Sequence, residues 1–177
     1  MPRILAAAAL LAGCAAQPQT AEEFRRAIPG AFFSSTASIE VSRPLPEVAA
    51  TFREKATQCL QGSVTTTKRT ITEFQIIIQE YVTAWKPTVA VTQERVELDV
   101  QAHTKGRLHL SRPPAGGPYR LVADAYPVGA GRTRLQWFSS WRDPDYLVRA
   151  IAGWASGDSM ECPDLATEWD QTREWAR

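Results

Sequence analysis

The sequence contains few of the residues from which metal centres and nucleophilic active sites are built. It has 2 histidines and 3 cysteines, and none of the cysteines has a second cysteine or a histidine at ligand spacing. His103 and His109 flank a predicted hairpin turn at Lys105 and Gly106. A three-residue loop there would make them cross-strand neighbours, and a two-residue loop would place them on opposite faces. Because no third ligand is recognisable, we expect no metal site.

Motifs for catalysis or cofactor binding are lacking as well. Ser156, in the segment GWASG, misses the nucleophile-elbow pattern by one position and is predicted to end a helix. Asp143 and Asp145 are explained better as helix caps than as a glycosidase pair. Gly129-Ala130-Gly131 joins two predicted strands, whereas a phosphate-binding loop leads into a helix. We therefore expect no catalytic residue and no cofactor.

An excess of charge of either sign is also missing. The chain has 20 Lys and Arg against 19 Asp and Glu, a formal net charge of +1, and the two signs are interspersed. Proteins that bind nucleic acid present a clustered basic surface. This composition therefore argues against a nucleic-acid partner.

No apolar run reaches the roughly 20 residues that span a bilayer, but a shorter one stands at the start. The basic residue Arg3 precedes an apolar stretch from Ile4 to Leu11, and small residues follow as far as Cys14. These are the three parts of an export signal. The polar segment QPQT then ends the run abruptly, which favours export over a buried alanine-rich helix.

The tetrapeptide Leu11-Ala12-Gly13-Cys14 resembles the lipobox of bacterial lipoproteins. In that family the cysteine thiol receives diacylglycerol, the leader is cut before it, and the new amino terminus is usually acylated too. The resemblance implies a signal peptide over residues 1–13 and lipidation of Cys14, with acyl chains such as palmitate that together form a stable membrane anchor. Ala15 replaces the aspartate of the family's inner-membrane retention signal. In a host with two membranes, this implies the outer membrane and a domain that faces the periplasm.

Residues 14–34 are predicted to be a lipidated terminus and a tether with at most one short helix. Thr20 and Glu23 have the spacing of a capping box at the start of that helix. About 20 residues at about 3.3 Å each would reach roughly 65 Å. We expect the tether to keep the domain close to its membrane.

Cys59 and Cys162 remain as a single even pair once Cys14 is acylated. An oxidising compartment favours a disulfide between them over two buried thiols. The bridge would close a loop of about 100 residues and stabilise the fold by roughly 4 to 5 kcal/mol.

Residues 35–162 are predicted to be one α+β domain, followed by a C-terminal tail over residues 163–177. Period-two patterning predicts a first strand from Ser35 to Ser42, and RPLPEVAATFREKATQCLQG changes to a helical period. The region from Ser63 to Trp141 is rich in Thr, Val, Ile and aromatic residues, which favours antiparallel strands. The strand candidates are VTTTKRT, FQIIIQEYVTAW, VAVTQ, VELDVQAHT, RLHL, YRLVADAYPV and TRLQWFSSW, with one connection at Trp85-Lys86-Pro87.

Two details complete the predicted domain. Apolar residues alternate with polar ones in the strand candidate VELDVQAHT, where the polar residues are Glu97, Asp99 and Gln101. We therefore expect one face of the sheet to be wet, that is, exposed to solvent. Asp143 and Pro144 then predict a C-terminal helix that ends near Gly157.

The segments IEVSRPLPEVAATF and PVGAGRTRLQWFSSW resemble parts of the START-like, or SRPBCC, helix-grip superfamily. They are similar to its connection from the first strand to a helix and to its late glycine turn before a strand. The resemblance implies a curved antiparallel sheet packed on a C-terminal helix, with a ligand cavity between them. A single helix after the first strand and a disulfide depart from that pattern and would narrow the cavity or remove it.

Aromatic residues give the candidate ligand-binding residues: Trp137 and Trp141 on the last strand, and Tyr146 and Trp154 on the last helix. They could line a space between sheet and helix, although an ordinary packed core explains them too. We predict a membrane-anchored binding domain, without catalysis, for an apolar or amphipathic ligand such as a lipid. The alternatives are an envelope assembly scaffold that binds another envelope protein and an unrecognised hydrolase.

Overall fold

The fold is taken from a computed structural model, which describes residues 17–32, 34–71, 75–106, 112–140 and 146–166. The helices are α1 (Ala21–Ala27), α2 (Leu45–Lys55) and α3 (Tyr146–Ser156), and a π-helical turn, Ala56–Leu60, extends α2. The strands are β1 (Ser35–Val41), β2 (Gly62–Ile71), β3 (Ile76–Val91), β4 (Val96–Thr104), β5 (Tyr119–Pro127) and β6 (Thr133–Ser139). Among these residues, each helix is too short or too polar to cross a bilayer.

The strands form one six-stranded antiparallel sheet in the order β1-β6-β5-β4-β3-β2. The sheet is open, with β1 and β2 at its edges. We call the end of the sheet where β4 ends at Thr104 and β5 begins at Tyr119 the lower end. The upper end is the opposite one, where β4 begins at Val96 and β5 ends at Pro127. The predicted α+β class, with an antiparallel sheet and a C-terminal helix, is confirmed.

Helices α2 and α3 cover one face of the sheet, which we call the inner face. The main core lies there, because period-two alternation directs Leu98, Val100 and Leu135 to the same side. Phe52 of α2 and Trp154 of α3 are fully buried against them. The C-terminal helix therefore fills the space above the inner face with side chains.

Helix α1 covers part of the opposite, outer face. Thr20 caps it, since its hydroxyl accepts a hydrogen bond from the Glu23 amide at 3.1 Å. Phe24 and Ile28 are buried against Val122 and Phe138 of the sheet. The short helix expected within the tether is thus part of the folded unit, which begins before Ser35.

The expectation of a wet face is wrong for the middle of the sheet. Gln101 is buried beneath the β4–β5 connection, where its side-chain amide donates to the Gly117 carbonyl at 2.9 Å. Glu97 is mostly buried by a side chain of α1. The alternating pattern of β4 correctly predicted which residues lie on the outer face. It could not predict that helix α1 covers part of that face.

The predicted break at Trp85-Lys86-Pro87 is also wrong, because β3 runs through it as one strand. Pro87 pairs with Val100 of β4, while the pairing of β2 with β3 stops at Gly62 and Trp85. On that side β3 has no hydrogen-bonded neighbour at residue 87. A proline, which has no amide hydrogen to donate, is therefore tolerated there.

Cys59 and Cys162 form a disulfide, with their Cα atoms 5.1 Å apart and a separation of 103 positions in the chain. Cys59 lies in the π-helical turn after α2, and Cys162 lies in the segment after α3. The bridge therefore fastens the segment that follows the last helix to the end of the helix that precedes β2.

Candidate functional site

A groove of about 760 Å³ lies at the upper end of the sheet. Three parts of the chain form it: helix α2 with the residue before it, the β3–β4 turn and the β5–β6 turn. The lining residues are Pro44, Leu45, Pro46, Ala49, Arg53, Val91, Thr92, Gln93, Val96, Pro127, Gly129, Gly131 and Arg132. The groove is thus at the edge of the core, and its floor continues into the core residues Leu45 and Val96.

The groove combines an apolar floor with positive charge at its rim. Leu45, Ala49 and Val96 are buried, whereas Arg53 is exposed. Arg132 is 58% exposed and shares the Glu40 carboxylate with a neighbouring arginine. On this side of the groove two guanidinium groups share one carboxylate, so positive charge remains in excess. A ligand with an apolar part and an acidic group fits this combination.

Arg43 holds the groove wall in place. Its Nη1 donates to the carbonyls of Trp154 at 2.8 Å and Ala155 at 3.3 Å, at the C-terminal end of α3. A cation there is favourable because the last carbonyls of a helix lack partners within the helix. The Arg43 carbonyl in turn accepts from the Thr133 hydroxyl at 2.7 Å. The connection from β1 to α2, which forms one side of the groove, is therefore fixed to both α3 and β6.

The turns on the other side are closed by hydrogen bonds. In the β3–β4 turn, the Thr92 amide donates to the Arg95 carbonyl at 2.8 Å and the Arg95 amide donates to the Thr92 hydroxyl at 2.9 Å. In the β5–β6 turn, the Val128 amide donates to the Arg132 carbonyl at 3.0 Å. These bonds keep the groove preformed, which reduces the ordering cost of binding.

A second polar cluster lies on the outer face beneath α1. Arg25 of α1 donates to Asp124 of β5 and to Glu97 of β4. The Asp124 side chain is 1% exposed and that of Arg25 is 12% exposed. Burial opposes the charged form of Arg25, but the carboxylates of Asp124 and Glu97 outweigh it and raise its pKa. The cluster is a buried, charge-paired clasp between the N-terminal helix and the sheet.

Asp99 is the member of this region that has a buried oxygen atom, Oδ1, without a hydrogen-bond partner among the described residues. Burial, together with the charges of Glu97 and Asp124, raises the pKa of Asp99 to about 7. It is therefore a carboxylic acid that retains its proton up to near-neutral pH.

The structure separates the predicted aromatic residues from the groove. Trp154 is fully buried, and its indole N–H donates to the Glu161 carbonyl at 2.9 Å. Trp137 and Tyr146 are partly buried and pack against the core. None of these three lines the groove, and Trp141 lies outside the described residues. Of the two interpretations offered for these aromatic residues, a packed core and a ligand-binding surface, the packed core agrees with the structure at these three positions.

The other sequence candidates are dispersed. Cys14, His109, Asp143 and Asp145 lie outside the described residues, and His103 is exposed on β4 opposite Ala84. The Ser156 hydroxyl donates to the Gly153 carbonyl at 3.1 Å, as expected for a residue at a helix end. Within the described ranges, no group of three or more His, Cys, Asp or Glu side chains is arranged to hold a metal ion.

Sequence reasoning missed Arg53 and Arg132 as a pair, and it missed the clasp between Arg25 and Asp124. The arginines are 79 positions apart in the chain, and only the packing of α2 against the β5–β6 turn brings them to one groove. For the groove, the sequence offered one signal, the two prolines around Leu45 that start α2 near a strand end. For Arg25 it offered only an amphipathic short helix.

A search of protein-family models finds no match for this chain, and a search of curated proteins finds none either. Among solved structures, the chain is similar to protein CV1439 from Chromobacterium violaceum, with 12% identity and a TM-score of 0.34, over 72% of this chain and 94% of that one. It is also similar to protein Ms6760 from Mycobacterium smegmatis, with 11% identity and a TM-score of 0.32, over 71% of this chain and 86% of that one.

Proposed function

We propose that this protein is an outer-membrane lipoprotein, anchored through Cys14, whose periplasmic domain binds an amphipathic ligand with an acidic group and does not transform it. The observation that carries the binding function is the groove: a preformed apolar floor between α2 and two turns, with Arg53 and Arg132 at its rim. The lipobox resemblance supports the anchor. The disulfide supports an oxidising compartment.

The ligand site proposed here differs in position from the one that the helix-grip resemblance implies. That superfamily holds ligands between the sheet and the C-terminal helix, and here Trp154 occupies that space. The groove lies at the upper end of the sheet instead, where side chains leave an open volume. Acyl chains fit an apolar floor, and a carboxylate or phosphate group fits two guanidinium groups.

The test uses oleate, which has an apolar chain and one carboxylate, and native mass spectrometry of the intact lipoprotein released from mild detergent. We expect an oleate adduct on the wild-type protein. In the Arg53→Glu, Arg132→Glu double variant, affinity should fall by about tenfold or more, which corresponds to about 1.4 kcal/mol. Both side chains are exposed, so these substitutions leave the core intact.

Arg149→Glu is the matched control, because Arg149 is an exposed arginine on α3, away from the groove lining. It should bind oleate as the wild-type protein does. Equal binding by all three proteins, or no adduct on the wild type across the titration, would overturn the binding proposal.

A further inference from the structure

Strands β2 and β3 extend beyond the rest of the sheet. Residues 83–91 of β3 pair with β4, whereas residues 76–85 pair with β2. Residues 65–71 and 76–82 therefore form a two-stranded hairpin arm that leaves the sheet at its lower end. Seven residues at about 3.3 Å each give the arm a length of roughly 23 Å.

The outer part of this arm presents apolar side chains to the surroundings. Ile76 is 54% exposed and Ile78 is 65% exposed, and their spacing of two places them on the same face of the strand. Glu80 is also exposed on that face and lies between Ile78 and Val82, which is 39% exposed, so the more exposed apolar side chains are those of the outer half. By strand register, Lys68 and Arg69 of β2 pair with Gln79 and Ile78 of β3.

The N-terminal segment leaves the domain at this same end. The Gln19 side-chain amide donates to the Arg112 carbonyl at 3.0 Å, and Arg112 belongs to the connection between Thr104 and Tyr119 at the lower end of the sheet. Thr104 is paired with Thr83, the residue at which the arm departs. The lower end therefore carries both the arm and the start of the tether.

The free tether is short. Gln17 is the first described residue, and Cys14 precedes it by three positions, which span at most about 11 Å even when fully extended. The arm is about twice as long. The lipid anchor would thus hold the lower end of the domain close to the membrane. At that distance the outer part of the arm would reach the membrane surface.

We infer that the hairpin arm is a second membrane contact, in which Ile76 and Ile78 enter the interface of the bilayer that holds lipidated Cys14. This inference rests on the lipid anchor in the proposed function. Apolar side chains that enter a bilayer interface stabilise the membrane contact in proportion to the apolar area that they bury there. The arrangement turns the groove, at the opposite end of the sheet, away from the membrane.

The test is photo-crosslinking in cell envelopes with the full-length lipoprotein. Benzoylphenylalanine is placed at Ile78 in one protein and at Glu94 in a matched control, since Glu94 is exposed in the β3–β4 turn at the upper end. Palmitate labelling is measured on both proteins. We expect lipid adducts at position 78 in about tenfold higher yield than at position 94, because only the arm lies at the bilayer.

The outcomes separate the two proposals. Palmitate-labelled protein that forms no lipid adduct at position 78 would overturn the membrane contact and leave the anchor intact. An adduct with a protein at position 78, in place of lipid, would overturn it too and would identify the arm as a docking site for an envelope partner. Absence of palmitate label would remove the anchor, and with it the premise of this inference.

Discussion

Arg25 donates to both carboxylate oxygens of Asp124, from Nε at 2.7 Å and from Nη2 at 2.8 Å. The two residues are 99 positions apart, one on the helix nearest to the predicted anchor and the other in a central strand. A bidentate pair of this kind is geometrically specific. It joins the N-terminal segment rigidly to the sheet, so a membrane anchor at Cys14 would also restrain the orientation of the domain.

We expect Arg25→Met to destabilise the protein by about 3 to 5 kcal/mol, because it leaves the buried Asp124 carboxylate without its main partner. Urea unfolding at neutral pH measures the loss. Arg26→Met is the matched control, since Arg26 lies on the same helix with a side chain that is 70% exposed, and it should change stability by less than about 0.5 kcal/mol. Equal stability of the two variants would contradict a role for the clasp in stability.

We expect Asp99→Asn to stabilise the protein in a pH-dependent way. The pKa of Asp99 is raised from 3.8 to about 7 in the folded state, so the folded protein binds this proton more tightly than the unfolded chain does. Ionisation of Asp99 therefore costs stability as the pH rises from about 4 to 7, and the full cost applies above about pH 7. Asparagine, which stays neutral, should remove a cost of at most about 4 kcal/mol, since one pH unit of pKa change corresponds to about 1.4 kcal/mol.

Urea unfolding at pH 8 and at pH 4 measures this effect. The gain from Asp99→Asn should be present at pH 8 and nearly absent at pH 4, where the acid is protonated in the folded protein and about half protonated in the unfolded chain. Glu94→Gln, at an exposed turn position, should show no such dependence. A gain that is the same at both pH values would show that ionisation of Asp99 is not its cause.

We expect replacement of both Cys59 and Cys162 by alanine to lower the free energy of unfolding by up to about 4 to 5 kcal/mol, because the bridge closes a loop of about 100 residues in the unfolded chain. Urea unfolding under non-reducing conditions measures the loss. The native protein should also be two hydrogens lighter than its reduced form. Alkylation of either cysteine in the folded, non-reduced protein would refute the bridge.

We expect Cys14→Ser to abolish palmitate labelling, because serine has no thiol to receive the lipid, and to release the domain as soluble or unprocessed protein. Membrane fractionation and palmitate incorporation measure the two effects. Cys162→Ala is the control, since it removes a different cysteine and should leave labelling intact. Unchanged membrane attachment of the Cys14→Ser protein would remove the basis for a lipid anchor.

Local pattern predicted most of the secondary structure. The period-two residues of β4 and the helical period that follows Pro44 are set by near neighbours in the chain, and both elements form where the sequence places them. Pro87 misled the prediction because its tolerance depends on where β2 stops pairing, which is a property of the sheet and not of the strand.

The candidate site was harder to predict from the sequence, because it too depends on how distant parts of the chain pack together. Arg53 and Arg132 both line the groove, and only tertiary packing places them there together. Asp99 has the sequence context of a solvent-exposed strand residue, and its raised pKa arises from burial and from the neighbouring carboxylates of Glu97 and Asp124, which only the folded sheet brings about. The disulfide was easier to predict, because the prediction that Cys14 is lipidated leaves two cysteines and therefore only one pairing.

The pairing of β1 with β6 has a consequence for how the chain acquires its structure. Ser35 pairs with Ser139 and Val41 with Thr133, so within the described part of the sheet the first strand pairs only with the sixth. Sheets built from such distant pairings have a high contact order and fold slowly, since the loop between the partners must close first. In the exported lipoprotein that we propose, the sheet would be completed only after the sixth strand had emerged on the far side of the membrane.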